Sequence, residues 1–185
     1  MVDITRWQGI GSPPEGGGVG PPCSDCGISQ WIELGGGPAE DINHPNIDIA
    51  PGPNVDIVCD LERNPLPFHD NHATWVKAIH SLQHLSRDGA HHVLRESYRI
   101  MRPGGRIYIM IGNLKFICQR ILEDGPYVGW VNCLFHEPGI SPSFGHHKWA
   151  WTFESMKQDL EDIGFSKVKF CGYYNMWELQ MEAFK

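Results

Sequence analysis

Trp31 to Gly52 reads WIELGGGPAEDINHPNIDIAPG, and how the chain turns after its first apolar run decides the fold. Three consecutive glycines, Gly35 to Gly37, follow the run that ends at Leu34, and a second run ends at the acidic Asp48. Glycine lets a backbone turn sharply and pass close to another group. The stretch therefore reads either as a plain tight turn or as the mouth of a ligand pocket at the end of a parallel strand.

The rest of the chain extends the second pattern. Short apolar runs at 30–34, 46–49, 55–59, 74–79 and 106–111 are bounded by Gly, Pro and Asp, as expected of strands covered on both faces. Between the last two, Ala90, Val93, Leu94, Ser97, Tyr98 and Met101 recur at helical spacing. Ser86 or Asp88 caps that helix at its start, and Pro103-Gly104-Gly105 stops it. A further helix is expected over Asn113–Asp124, a loop or lid over Gly125–Ala150, and an amphipathic helix through Phe153, Met156, Leu160 and Ile163. Two alternating runs, KVKFCGY and MWELQMEAF, then form a closing antiparallel hairpin. The expected fold class is α/β: a Rossmann-like open, mostly parallel sheet in three α/β/α layers, with a C-terminal antiparallel hairpin.

Composition bounds the organisation. With 185 residues, 41% of them hydrophobic, the chain supplies one core, expected over residues 30–185 with a loop or lid region at 113–151. Residues 1–29 read as a flexible Gly/Pro-rich arm, because QGIGSPPEGGGVGPP offers little apolar surface against the entropy of ordering it. A net charge of −7 without a long Lys/Arg block argues against duplex nucleic acid as the main partner. No run approaches the roughly 20 apolar residues of a membrane span, and no basic region with an apolar stretch opens the chain. A soluble, cytoplasmic protein is expected.

Cys23 and Cys26 form a single C-x-x-C pair, whereas a structural zinc site takes four ligands. His44 or later histidines would have to complete it, so a reduced pair is the favoured reading and no metal site is expected. A nicotinamide fingerprint, G-x-G-x-x-G, fails at Glu40, and the acid arrives earlier than the usual spacing of about 20 residues.

In an open α/β sheet, ligands sit beyond the carboxyl ends of the strands, where strand order reverses. Gly35, Gly36 and Gly37 fall there, with backbone N–H groups free to receive a carboxylate or phosphate. Asp48 has two acceptor oxygens suited to the paired hydroxyls of a ribose, and Asp60, after the third strand, suits an adenine amino group.

The ordered motifs resemble the class I S-adenosylmethionine-dependent methyltransferases, in particular the small methyltransferase type 11-like group. The glycine motif is Glu33-Leu34-Gly35-Gly36-Gly37-Pro38-Ala39, with Ala39 in place of its last glycine. ATWVKAIHSLQHL is similar to the family's fourth strand and turn, with Ala73-Thr74 and Gln83 replacing the usual Phe-Asp pair and late Glu. YRIMRPGGRIYIMI matches the helix, turn and fifth strand most specifically. The resemblance implies that Glu33, Gly35, Gly36 and Gly37 hold the methionine end of S-adenosylmethionine. It likewise places Asp48 on the ribose, Ile49 on the adenine face and Asp60 with Leu61 on the adenine edge. Backbone from Ala78 to His80 would close the pocket near the sulfonium. Only eleven residues, two of them proline, separate Leu34 from Asn46, so a shortened first crossover without a full helix is expected.

The implied reaction is in-line displacement of a methyl group from this small-molecule donor to an acceptor that the sequence does not identify. His80, at the rim after the fourth strand, is the first candidate base, with His84 sharing its face if the turn is helical. His136, His146 and His147 are rivals. Trp130, Phe135, Phe144, Trp149 and Trp151 read as an acceptor pocket, as core, or as a homodimer face. A catalytically degenerate relative that binds cofactor or partner without turnover is the alternative.

Overall fold

The structure, a computed structural model, describes residues 31–38, 43–126, 128–135 and 145–185. The N-terminal arm, Cys23, Cys26, Ala39, His136 and Phe144 lie outside the described residues.

Seven strands form one sheet: β1 (Trp31–Leu34), β2 (Asn46–Asp48), β3 (Ile57–Val58), β4 (Ala73–Ile79), β5 (Met101–Gly112), β6 (Ser166–Tyr173) and β7 (Glu178–Phe184). Their order is β3-β2-β1-β4-β5-β7-β6. Neighbours from β3 through β5 are parallel, and β7 runs antiparallel to both β5 and β6. The expected parallel sheet and terminal hairpin are therefore both present. The chain builds outward from β1 to β3 and returns on the other side as β4, so strand order reverses between β1 and β4 and leaves a crevice at their carboxyl ends.

Helices α1 (Arg87–Ile100), α2 (Leu114–Asp124), α3 (Val128–Phe135) and α4 (Phe153–Ile163) complete the fold. Between the two cap candidates, Ser86 does the capping: its hydroxyl accepts from the Gly89 N–H at 3.1 Å, while Asp88 sits in the first turn. Thr152 caps α4 reciprocally with Ser155, and Gly164 ends that helix at φ +117°, a left-handed conformation suited to glycine. Ala90, Val93 and Leu94 of α1 and Met156 and Leu160 of α4 pack in one cluster with Ile32, Leu34, Val76, Ala78, Ile107 and Ile109 of the sheet. Trp75, Tyr108 and Met110 form a second cluster with Trp31 and Ile79, the alternate residues of the same strands. No described helix is long and apolar enough to cross a membrane.

Three elements differ from the sequence reading. The strand expected at 55–59 shortens to Ile57–Val58. The strand expected at 106–111 starts at Met101, which pairs with Ala73 before the register shifts at Trp75–Arg106. Pro103 has no N–H to give and Gly104 sits at φ +81°, so the Pro-Gly-Gly stretch makes an irregularity within β5. Within the segment read as loop, the apolar run VGWVNCLF is helical as α3. Among the described residues between β1 and β2 there is no helix, in keeping with the shortened crossover.

Candidate active site

The glycine loop owes its path to close packing. Gly35 and Gly37 have φ of +68° and +61°, which side chains rarely adopt. A Cβ on Gly35 would lie 2.5 Å from Cβ of Ser81, and one on Gly36 would lie 2.7 Å from Oδ1 of Asn46 and 2.9 Å from Cγ of Glu33. The loop is thus wedged between β2 and the turn after β4. Its N–H groups face inward: Gly35 donates to the Ile47 carbonyl at 2.7 Å, Gly36 to Oδ1 of Asn46 at 3.0 Å and Gly37 to Oδ2 of Asp48 at 3.0 Å. The expectation of N–H groups directed at a ligand is therefore replaced by a loop held through Asn46 and Asp48.

Asn46 is fully buried at the start of β2, and its amide nitrogen donates to the carbonyls of Gly37 at 2.9 Å and Asn54 at 2.8 Å. One side chain thereby fixes the loops on both sides of its strand. Asp48 accepts from Gly37 and, through Oδ1, from the Ala50 N–H at 3.0 Å. A carboxylate offers about four lone-pair sites, so Asp48 keeps capacity for two hydroxyls. Ile49 beside it is 61% exposed, an apolar surface at the rim. The Cys59 N–H donates to the Asp48 carbonyl at 2.8 Å and brings Asp60 to the adjoining strand end. Oδ1 of Asp60 accepts from the Glu62 N–H at 3.0 Å, and Leu61 is buried next to it. Asp48, Ile49 and Asp60 thus stand together beyond β2 and β3.

Glu33 and Lys77 face each other across β1 and β4 in direct register, with Nζ of Lys77 3.1 Å from Oε2 of Glu33. The Asn43 side chain also donates to Oε2 at 3.1 Å. Burial pushes the Glu33 carboxyl above its ordinary range, and Lys77 and Asn43 oppose that shift without cancelling it. Ala78, paired with Leu34, is fully buried under the crevice.

His80 follows β4 with φ +53°, held by its N–H on the Met110 carbonyl at 2.9 Å. Its Nε2 lies 3.1 Å from Oε1 of Glu178, and the other Glu178 oxygen accepts from the Asn175 side chain at 2.9 Å. The Gln83 amide nitrogen is 3.5 Å from Nδ1 of His80 and 3.2 Å from Nε2 of His147, whose Nδ1 is 3.2 Å from the Cys133 carbonyl. An amide nitrogen carries two hydrogens, so both imidazole nitrogens facing it are acceptors. With both rings neutral, His80 then bears its proton on Nε2, toward Glu178, and His147 on Nδ1, toward Cys133. His84 lies in a single 3-10 turn, Leu82–His84, and its ring meets His147 edge-on at 4.8 Å. The structure therefore brings His80 and His147 together through Gln83 and sets His84 against His147.

Beyond Gln83 a small apolar cleft opens, with Ile111, Ile117, Cys133, His147 and Trp149 in its lining. Lys148 ties its outer wall down: its N–H donates to the Gln83 carbonyl at 2.7 Å and its ammonium meets Glu62 at 2.8 Å. Lys148 and Ser86 together pull the Glu62 carboxyl down to about 2. Phe135 is 61% exposed at the end of α3, Trp130 stacks edge-on with Phe116 and Trp177, and Trp151 is buried, so the expected aromatic group is dispersed. Among the described residues no group of three or more His, Cys, Asp or Glu is placed to hold a metal ion.

Asn46, Lys77 and Glu178 are site residues that the sequence reading did not single out. Lys77 left a trace, a charge inside an otherwise apolar strand. Glu178 left none, because alternation in β7 assigns it a face but not a neighbour.

The family described as "Methyltransferase domain" matches residues 39–109. The fold is similar to that of a SAM dependent methyltransferase from Archaeoglobus fulgidus, with 15% identity, a TM-score of 0.57, and 86% of this chain and 87% of that one covered. It is similar also to the complex between the Haloferax volcanii Trm112 methyltransferase activator and a methyltransferase, with 14% identity, a TM-score of 0.55 and coverage of 85% and 82%. A third likeness is the Burkholderia thailandensis 1,6-didemethyltoxoflavin-N1-methyltransferase, solved with its substrate and S-adenosylhomocysteine, with 15% identity, a TM-score of 0.55 and coverage of 84% and 70%. No curated protein matches the chain significantly. The resemblance read from the sequence is thus borne out, and the fold is that of the class I S-adenosylmethionine-dependent methyltransferases.

Proposed function

We propose that this chain is a methyltransferase that binds S-adenosylmethionine in the crevice between β1 and β4 and passes its methyl group to an acceptor at the His80 side. The observation that carries this reading is the convergence of Glu33, the glycine loop, Asp48, Asp60 and His80 at the carboxyl ends of four successive parallel strands. The residues fit the donor: the hydroxyl of Ser81, buried beside Gly35, has no hydrogen-bond partner and is available to it. Asp48 takes the ribose hydroxyls, Ile49 covers one adenine face, and Asp60 reads the adenine edge.

The sulfonium donor supplies an already activated methyl group, so the protein contributes alignment and proton removal. His80 has the geometry of a base. Glu178 accepts a hydrogen bond from the His80 Nε2–H, which leaves the Nδ1 lone pair for the acceptor's proton and places a carboxylate against the imidazolium that forms. Gln83, 3.5 Å from Nδ1, stands on the side of the ring from which the acceptor would approach.

A binding module without turnover is the second reading. It is favoured by the internal engagement of the Gly36 and Gly37 N–H groups and of both Asp48 oxygens. Calorimetry with S-adenosylhomocysteine, joined to transfer of labelled methyl across small-molecule, protein and RNA acceptors, separates the two. The enzyme reading expects binding together with transfer that falls about 10²- to 10⁴-fold in His80→Gln at unchanged nucleoside affinity. Binding without transfer to any acceptor favours the module, and absence of binding rejects the enzyme and leaves only a module that takes a partner in place of the nucleoside.

A further inference from the structure

Gln83 stands between two histidines that come from distant parts of the chain. Its amide nitrogen is 3.2 Å from Nε2 of His147 and 3.5 Å from Nδ1 of His80. Each ring is anchored at its other nitrogen by a group that accepts. Oε1 of the Glu178 carboxylate, on β7, lies 3.1 Å from Nε2 of His80, and the Cys133 carbonyl, on α3, lies 3.2 Å from Nδ1 of His147. A neutral imidazole has one N–H and one lone pair, so with the N–H given to its anchor each ring turns a lone pair toward position 83. Two lone pairs that meet at one point need a single atom carrying two hydrogens. The Gln83 amide nitrogen supplies it, whereas a carboxylate or an apolar side chain of similar length does not. Oε1 of Gln83 is buried without a partner, so the two rings, and not the oxygen, decide which way the amide faces. The backbone repeats the link, since the Lys148 N–H donates to the Gln83 carbonyl at 2.7 Å next to His147.

We infer that Gln83 is the positioning residue of the base: it holds His80 and His147 neutral in opposite tautomers, and so keeps the Nδ1 lone pair of His80 in place for the acceptor's proton. This rests on the methyltransferase reading above and adds to it a residue that acts through His80. The Glu178 carboxylate favours an imidazolium at His80, and the amide hydrogens of Gln83 favour the neutral ring. An imidazolium has no lone pair and is no base. The two distances rank the contacts: the shorter fixes His147, and the longer holds Nδ1 of His80 only weakly. Around the pair, Asn175 donates to the second oxygen of Glu178 at 2.9 Å, the His84 ring meets His147 edge-on at 4.8 Å, and the Lys148 ammonium is paired with Glu62. Burial pushes the Cys133 thiol up, which keeps it protonated beside His147.

Nitrogen NMR of isotopically labelled histidine rings in the full chain reads this directly, because N–H, lone-pair and imidazolium nitrogens resonate apart. At about pH 8, where an ordinary histidine is neutral, the wild type is expected to carry the His80 hydrogen on Nε2 and the His147 hydrogen on Nδ1. Gln83→Glu keeps the length but replaces the two hydrogens with a charge, and His80 should then hold its second proton about 10- to 1,000-fold more tightly than in the wild type. Gln83→Met, which offers neither hydrogens nor charge, should fall between the two. A wild type with either ring in the other tautomer overturns the inference, and so does a Gln83→Glu protein whose His80 has the wild-type proton affinity. If Gln83→Glu fails to fold, seen as collapse of its amide spectrum, Gln83→Met decides: a His80 proton affinity equal to the wild type's overturns the inference. Calorimetry with S-adenosylhomocysteine on the wild type keeps the two readings apart. Binding together with the opposite tautomers sinks this inference and leaves the methyltransferase reading standing. The stated tautomers without binding remove the methyltransferase reading, and the role of base with it.

Discussion

The two halves of the sheet are held together by different means. β4, β5, β7 and β6 run for seven, twelve, seven and eight residues and are joined by long backbone ladders over an apolar core. β1, β2 and β3 have only four, three and two residues. Side chains supply what the short strands lack. Asn46 ties three backbone groups, Asp48 ties two, and Oδ2 of Asp56 receives the Asn46 N–H at 2.7 Å beside Nδ1 of His44 at 2.6 Å. Both halves bury apolar residues, Ile32, Leu34 and Ile47 among them, but the short-strand half adds these polar contacts to its burial, and it is the half that presents Glu33, Asp48 and Asp60. Binding regions are commonly drawn from the less stable part of a fold, and here the groups proposed to meet the nucleoside are the groups that hold the loops.

This contrast is open to attack by mutation. The largest loss is expected from the long-strand half: Ile109→Ala empties a fully buried position between Ala78 of β4 and Met181 of β7 and should cost about 2–5 kcal/mol in urea denaturation. Asn46→Ala orphans the Gly36 N–H and the carbonyls of Gly37 and Asn54 and should cost about 2–4 kcal/mol. Its signature is regional, with hydrogen exchange accelerating over residues 31–60 while β5 and β7 stay protected. Uniform acceleration would merge the two halves into a single unit.

Glu62→Gln tests the latch on the cleft and should cost about 1–2 kcal/mol near neutral pH. The Glu62 carboxyl stands at about 2, below the ordinary 4.5, so its contribution is full above about pH 4.5 and disappears as pH falls toward 2. The wild type should lose stability across that window, and the variant should lose less, which urea midpoints measured against pH will show. The smallest effect belongs to His80→Gly. Glycine relieves the left-handed backbone but forfeits the Glu178 contact, so thermal stability should stay within about 1 kcal/mol of the wild type. A larger loss would make the His80–Glu178 pair a structural element of the sheet's rim.

Legibility followed the same division. The period of Ala90, Val93 and Leu94 and the apolar run of β5 disclosed helix and strand, because burial of one face or of both imposes a pattern on sequence. The glycine loop and Asp48 were legible as types at strand ends. Asn46 was not: a buried asparagine is set by which carbonyls two loops bring to it, and those loops join residues ten or so positions apart without periodicity. The His80–Glu178 contact was illegible for a related reason, since strand order alone brings the start of β7 beside the end of β4 through β5. The helix α3 was missed because Gly129 and its aromatic neighbours read as loop composition, whereas its contact with α2 overrides weak local preference.

The short-strand half is proposed to grip a nucleoside through Asp48. Isothermal calorimetry of S-adenosylhomocysteine against the wild type and Asp48→Asn addresses it directly. Asparagine keeps the shape and one acceptor oxygen but removes the charge that meets the ribose hydroxyls. Saturable one-to-one binding by the wild type, weakened about tenfold or more in the variant, is the predicted result. No heat of binding from the wild type, or equal affinity in both proteins, would contradict it.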